Sequence, residues 1–180
     1  MFSKEVNKEV LHASEEVVKV SEVNIAALRL RALNNDRKRI RLCCHRDVHD
    51  TLHEMLIIHT KDAYIRPHKH LNKSESLHVV EGDADFVLFN KQGDIAEIIS
   101  LGQYSSGRKF YYRMSESYYH TLMINSDFFV FHETTKGPFR SADTVFAPWA
   151  PEESDIEACC AYRQNLSGRV FSYASGKRYS

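Results

Sequence analysis

Between about residues 52 and 135 the chain alternates short β-rich stretches with turn formers. The stretches are Met55–His59, Tyr64–His70, Ser76–Glu81, Phe86–Phe89, Ile95–Leu101, Phe110–Met114, His120–Ile124 and Phe128–Glu133. Asn72-Lys73-Ser74, Gln92-Gly93-Asp94, Ser105-Ser106-Gly107 and Ser115-Glu116-Ser117 punctuate them. Strands repeating every ten residues or so leave no room for crossover helices, so the pattern predicts an all-β sandwich or barrel rather than a βαβ fold.

The flanks read differently. Residues 1–20 are charged and mixed, and suit an arm or edge strand. A helix is predicted over 21–36, with Ser21 as N-cap, a run of helix formers from Asn24 to Leu33, and Asn34-Asn35-Asp36 as its end. Arg39 to Leu42 then alternates basic and apolar as an exposed strand does, and Arg37-Lys38-Arg39 reads as a solvated charge run. After the proline-rich Phe146-Ala147-Pro148-Trp149-Ala150-Pro151, a second helix is expected from Pro151 to about Leu166, before Gly168, with 169–180 as a polar tail. The resulting organisation is an N-terminal arm and helix (1–50), a barrel (51–145) and a proline-rich segment with helix and tail (146–180), all in one compact domain.

Charge and composition exclude several classes. Lys+Arg 24 balance Asp+Glu 24, so there is no basic footprint for a nucleic acid or an anionic membrane. No apolar run has the ~20 residues of a membrane helix, and MFSKEVNKEV is not a secretory leader, so a cytoplasmic location is expected. The four cysteines form two adjacent pairs, Cys43-Cys44 and Cys159-Cys160, with no Cys-x-x-Cys; they read as reduced thiols. Ten histidines are an excess that hints at metal.

One constellation carries chemistry: His68-x-His70-x4-Glu75-x6-Gly82. Histidines at i and i+2 on a strand share a face. The turn Leu71–Ser74 returns Glu75 at the start of the neighbouring strand, level with the pair, and Gly82 suits a turn needing positive φ. A chain this rich in histidine holds about 0.6 His-x-His by chance, but adding the glutamate and glycine at fixed offsets lowers that to roughly two in a thousand. His120, opening a later strand, supplies a third imidazole. Three histidines and a glutamate suit one divalent transition metal (Fe, Mn, Ni, Co or Zn) with up to two positions open to ligand or water.

This pattern resembles the two-part signature of the cupin superfamily, and more closely that of WbuC-type cupin metalloproteins. Tyr64 to His70, His132 to Phe139, Phe146 to Glu153 and Leu42-Cys43-Cys44-His45 are similar to that family, and the resemblance covers about residues 21–165. It implies a double-stranded β-helix (jelly-roll) barrel with an N-terminal and a C-terminal helix, and a metal in the barrel mouth held by His68, His70, Glu75 and His120. It also implies a homodimer and a role in lipopolysaccharide O-antigen biosynthesis. The chain departs from the general cupin pattern at Asp62, at Ser115-Glu116-Ser117 and at Ile124.

Strand parity places Tyr64 and Arg66 on the face of the histidine pair, where they would line a ligand site, Arg66 as anchor for a carboxylate or phosphate. His78 has the opposite parity to Glu75 and points away. His132 and Glu133 alternate, so one of the two faces the cavity; with Tyr119 they are the candidate catalytic groups. The function expected is a metal-binding cupin acting on or recognising a small polar molecule, such as a sugar or sugar nucleotide. A metal-dependent dioxygenase and a non-catalytic small-molecule-binding protein are the alternatives.

Overall fold

The computed structural model describes residues 3–176. Twelve strands and two α-helices follow in the order β1 (Ser3–Asn7), β2 (Val10–Ala13), α1 (Glu22–Leu33), β3 (Arg39–Cys43), β4 (Leu52–Thr60), β5 (His68–His70), β6 (Glu75–Glu81), β7 (Asp83–Phe89), β8 (Ile95–Gly102), β9 (Tyr111–Met114), β10 (Tyr119–Ile124), β11 (Phe128–Lys136), β12 (Thr144–Phe146) and α2 (Ile156–Gly176). They form a seven-stranded sheet in the order β1-β2-β3-β4-β11-β6-β9 and a five-stranded sheet in the order β12-β5-β10-β7-β8. The named strand pairs are antiparallel except β2–β3, which is parallel.

Alternation along the strands builds the core between the two sheets. Ile57, Leu77, Val79, Phe129 and Phe131 from the larger sheet meet Ala84, Phe86, Leu101 and Ile124 from the smaller. Phe86 and Phe131 are 1% exposed, and burying each such side chain stabilises the fold by ~1.5–3 kcal/mol. The opposite faces are covered by the helices. Leu28 and Ala32 of α1 pack on Ile40, Leu42, Ile58 and Val130. Leu166 of α2, with Tyr162, Val170 and Trp149, packs on Val87 and Phe89. No helix of the described residues is long and apolar enough to cross a membrane.

Gly82 links β6 to β7, where the chain passes from one sheet to the other. Its φ of +81° is a left-handed conformation, and a Cβ there would collide with the Phe128 carbonyl oxygen.

Four local expectations change. First, β5 and β6 do not pair: β5 lies between β12 and β10, whereas β6 lies between β11 and β9 in the other sheet. The turn at 71–74 is therefore a crossing between sheets, not a hairpin. Second, Pro151 precedes α2 without joining it. Asp155 caps the helix, its Oδ1 accepting from the Ala158 N–H at 3.0 Å. Third, α2 runs through Gly168 to Gly176, because Val170 packs on the sheet and the Tyr173 hydroxyl donates to the Ala96 carbonyl at 2.8 Å. Residues 177–180 of the expected tail lie outside the described residues. Fourth, Arg37 is exposed as expected, but Arg39 is not a solvated residue. Arg39 is 14% exposed and pairs with Glu9 and Glu153, each at 3.0 Å, and Arg37 also pairs with Glu153, tying the N-terminal arm to the segment before α2.

Candidate metal centre

His68 and His70 share a face of β5, and His120 stands opposite His68 in the β5–β10 ladder. One ring nitrogen from each of the three lies within 4.8 Å of the others. The other nitrogens are tethered. Nδ1 of His68 donates to the Arg66 carbonyl at 2.8 Å, and Nδ1 of His120 to the Tyr118 carbonyl at 2.9 Å. Nδ1 of His70 meets Thr144 Oγ1 at 3.2 Å. A carbonyl only accepts, so His68 and His120 carry the proton on Nδ1 and keep the Nε2 lone pair free. Such outer tethers orient metal-binding imidazoles and raise their basicity.

Glu75, 5% exposed, reaches the triad from the opposite sheet. Its Oε2 lies 3.6 Å from His70 Nε2 and its Oε1 3.6 Å from His120 Nε2. Ligand atoms about 2.1 Å from one cation sit roughly 3–3.5 Å apart, close to the spacing of the Glu75 oxygens from His70 and His120. The Tyr112 hydroxyl donates to Glu75 Oε1 at 3.0 Å, and the Tyr112 ring stacks on Phe86 at 4.3 Å.

Burial sets the electrostatics. It pushes His68 and His70 down to about 3 and His120 to about 4, so all three are neutral at pH 7, the form a metal requires. Burial pushes Glu75 up, with the Tyr112 hydrogen bond acting the other way. A cation among these donors would offset the cost of the buried carboxylate. The His68–His70–His120 triad, with His120 buried and the other two half-buried, can thus hold a metal, and three nitrogens with one carboxylate suit a first-row divalent ion.

The other sequence candidates divide. Glu133 pairs with Leu77 and Met55 and faces the interior; burial, then the nearby Glu75 charge, raises its pKa. His132 pairs with His78 and points outward, 34% exposed, with Nε2 3.9 Å from Glu54 Oε1. Tyr119 has the opposite parity to His120 and lies on the outer face, its ring 6.1 Å from that of Trp149. Residues 63–67 are not a strand, so the parity argument for Tyr64 fails: its hydroxyl donates to the Pro151 carbonyl at 3.0 Å and its ring meets Tyr162 of α2. Arg66 lies at the rim, its guanidinium 4.8 Å over Phe146, whose ring is 6.2 Å from that of His68.

Arg41 escaped the sequence reading. Ile40 and Leu42 pack beneath α1, so Arg41 projects to the other face of β3, into the barrel. Its positive charge acts on His68, His70 and Glu133. Basic–apolar alternation in sequence does not tell which face meets solvent.

A model of the family described as a domain of unknown function (DUF6016) matches residues 20–101. No curated protein matches. Among solved structures, the chain is similar to CapF, a capsular polysaccharide assembling protein from Staphylococcus aureus. The two are 20% identical over 62% of this chain and 32% of that one, with a TM-score of 0.50. The fold is a cupin jelly roll. Protein SO0799 from Shewanella oneidensis is 10% identical over 57% of this chain and 66% of that one, TM-score 0.46. A Bacillus subtilis oxalate decarboxylase mutant is 16% identical over 54% and 24%, TM-score 0.44. The chain spans 66% of SO0799, 32% of CapF and 24% of the oxalate decarboxylase.

Proposed function

We propose that this chain is a metal-dependent cupin of the WbuC type that binds a small anionic polar molecule, a sugar or sugar nucleotide, in surface-polysaccharide biosynthesis. The observation that supports the metal reading is the convergence of three neutral imidazoles, His120 buried and His68 and His70 half-buried, beside Glu75, two of them held by Nδ1–H bonds to backbone carbonyls. His68, His70, Glu75 and His120 are the proposed ligands. A metal bound there supplies a Lewis acid that polarises a carbonyl or hydroxyl of the ligand. Tyr112 holds the Glu75 carboxylate in place.

Arg41 and Glu133 support the proposed ligand class. Arg41 brings a positive charge to the metal side of the barrel and is the proposed anchor for a carboxylate or phosphate, with Arg66 as a second cation at the rim. Glu133 is the proposed proton-carrying group, since an interior-facing, half-buried carboxyl with a raised pKa holds its proton nearer neutrality. The surface-polysaccharide setting rests on the WbuC-type resemblance; CapF is itself a capsular polysaccharide assembling protein. We further propose a homodimer, since pairing covers an exposed sheet edge.

The test is metal analysis of protein purified without a histidine tag, followed by thermal-shift screening with sugar nucleotides. The reading expects bound metal in wild type, none at this site in His68→Ala, and a ligand shift lost in Arg41→Gln. Wild-type protein that neither retains nor takes up metal contradicts it. Solvent deuterium entering a shifted ligand would mark catalysis, whereas a shift without turnover would mark a binding protein. Light scattering at twice the 20.8 kDa chain mass is expected for the dimer.

A further inference from the structure

A second cluster of metal-binding side chains sits on the seven-stranded sheet, whereas the triad is carried by the five-stranded one. His12 of β2 is the direct partner of Cys43 of β3 in their parallel ladder. His45 follows just beyond the end of β3, and its Nδ1 is held against the Glu54 backbone, 3.1 Å from the carbonyl oxygen. One ligand atom from each of His12, Cys43 and His45 lies within 4.8 Å of the other two. Cys43 is 4% exposed and His45 7%.

The surroundings supply a second, independent observation. Nδ1 of His12 is buried with no hydrogen-bond partner. Nε2 of His53 is also buried without one, on a residue 5% exposed whose ring stacks on His45 at 3.9 Å. A buried polar atom left unpaired costs ~1–3 kcal/mol. Two such imidazoles beside a buried thiol make an unsatisfied polar pocket at this end of the sheet, and a cation there would supply the missing partner.

We propose that His12, Cys43 and His45 form a second metal site, for a thiophilic cation of the Zn2+ type, with His53 beside it. One sulfur and two imidazole nitrogens are a borderline-soft donor set, unlike the three nitrogens and one carboxylate of the barrel mouth. Binding converts the Cys43 thiol to a thiolate, and the proton leaves to solvent. The two sites are distinct. Glu75, Thr135 and His53 form one row across β6, β11 and β4. Adjacent strands lie about 4.8 Å apart, so Glu75 and His53 are about 10 Å from each other. The site ties the N-terminal arm to the barrel and does not depend on the function proposed above.

Cobalt(II) distinguishes the sites, because only this one offers sulfur. Metal-stripped protein is titrated with Co2+ while the near-ultraviolet thiolate-to-cobalt charge-transfer band is followed. The band is expected in wild type and in His68→Ala, and is expected to vanish in Cys43→Ser. Absence of the band at saturating Co2+ in wild type, or its persistence in Cys43→Ser, overturns the proposal. Since Cys43 belongs to the core, His12→Gln provides a milder variant that leaves the thiol in place. Its Co2+ affinity at the sulfur site is expected to fall about tenfold or more, and an unchanged affinity would overturn the proposal equally.

Discussion

His120 stands directly opposite His68 in the β5–β10 ladder, with the two rings 4.6 Å apart. Strand pairing, not sequence proximity, brings these imidazoles together. Each is expected to be needed for metal at this site. In His68→Ala or His120→Ala, the metal-induced rise in melting temperature at the barrel mouth should disappear while the far-ultraviolet circular dichroism stays that of wild type. A full metal-induced rise in either variant would remove that residue from the ligand set.

Tyr112 acts on the site through Glu75. Its hydroxyl donates to Oε1 while its ring stacks on Phe86. Tyr112→Phe keeps the ring and loses the donor. Removing an outer hydrogen bond of this kind weakens metal binding by roughly 10–100-fold, which isothermal titration would read directly.

Stability of the metal-free protein should vary with pH in two limbs. His68, His70 and His120 are pushed below their ordinary 6.5, so they give up stability as pH falls from about 6.5 toward 3–4, where the unfolded chain takes up protons that the folded one does not. Glu75 and Glu133 shift the other way. Their raised pKa values make the fold lose stability as pH rises from about 4.5 through the folded-state values. Below 6.5 the three imidazoles outweigh the two carboxyls; above it only the carboxyls act. A maximum near pH 6.5 is expected in urea melts of stripped protein. Metal should flatten the alkaline limb, because it compensates the Glu75 charge.

Two glycines should respond oppositely to alanine. Gly82 has φ +81°, and its missing Cβ would meet the Phe128 carbonyl, so Gly82→Ala is expected to cost at least about 2 kcal/mol. Gly168 lies inside α2 with nothing within 4 Å of a Cβ, so Gly168→Ala is expected to stabilise by about 0.5–1 kcal/mol. Chemical denaturation of both variants checks the signs.

The jelly roll was legible because its strands are short, alternating and closely spaced, and Gly82 was legible because a turn at a sheet crossing needs left-handed backbone. Pairing was less so. That β5 runs beside β10 and β12 rather than β6 follows from nonlocal contacts that no local pattern encodes. The same holds for Arg41, whose inward direction is set by α1 covering Ile40 and Leu42. The parity of Glu75 against His78, and of His132 against Glu133, was a local signal. The choice between His132 and Glu133 needed their partners across the ladder, His78 and Leu77. Tyr64 misled because alternation was extended into 63–67, which lies outside β5. Gly168 misled because a helix carries one glycine when Leu166 and Val170 beside it pack on a sheet.

Anomalous diffraction from crystals of metal-loaded protein tests the central claim most directly. A peak about 2.0–2.3 Å from a ring nitrogen of each of His68, His70 and His120 and from a Glu75 carboxylate oxygen is the predicted result. Fully loaded protein with no peak among those four side chains would contradict it.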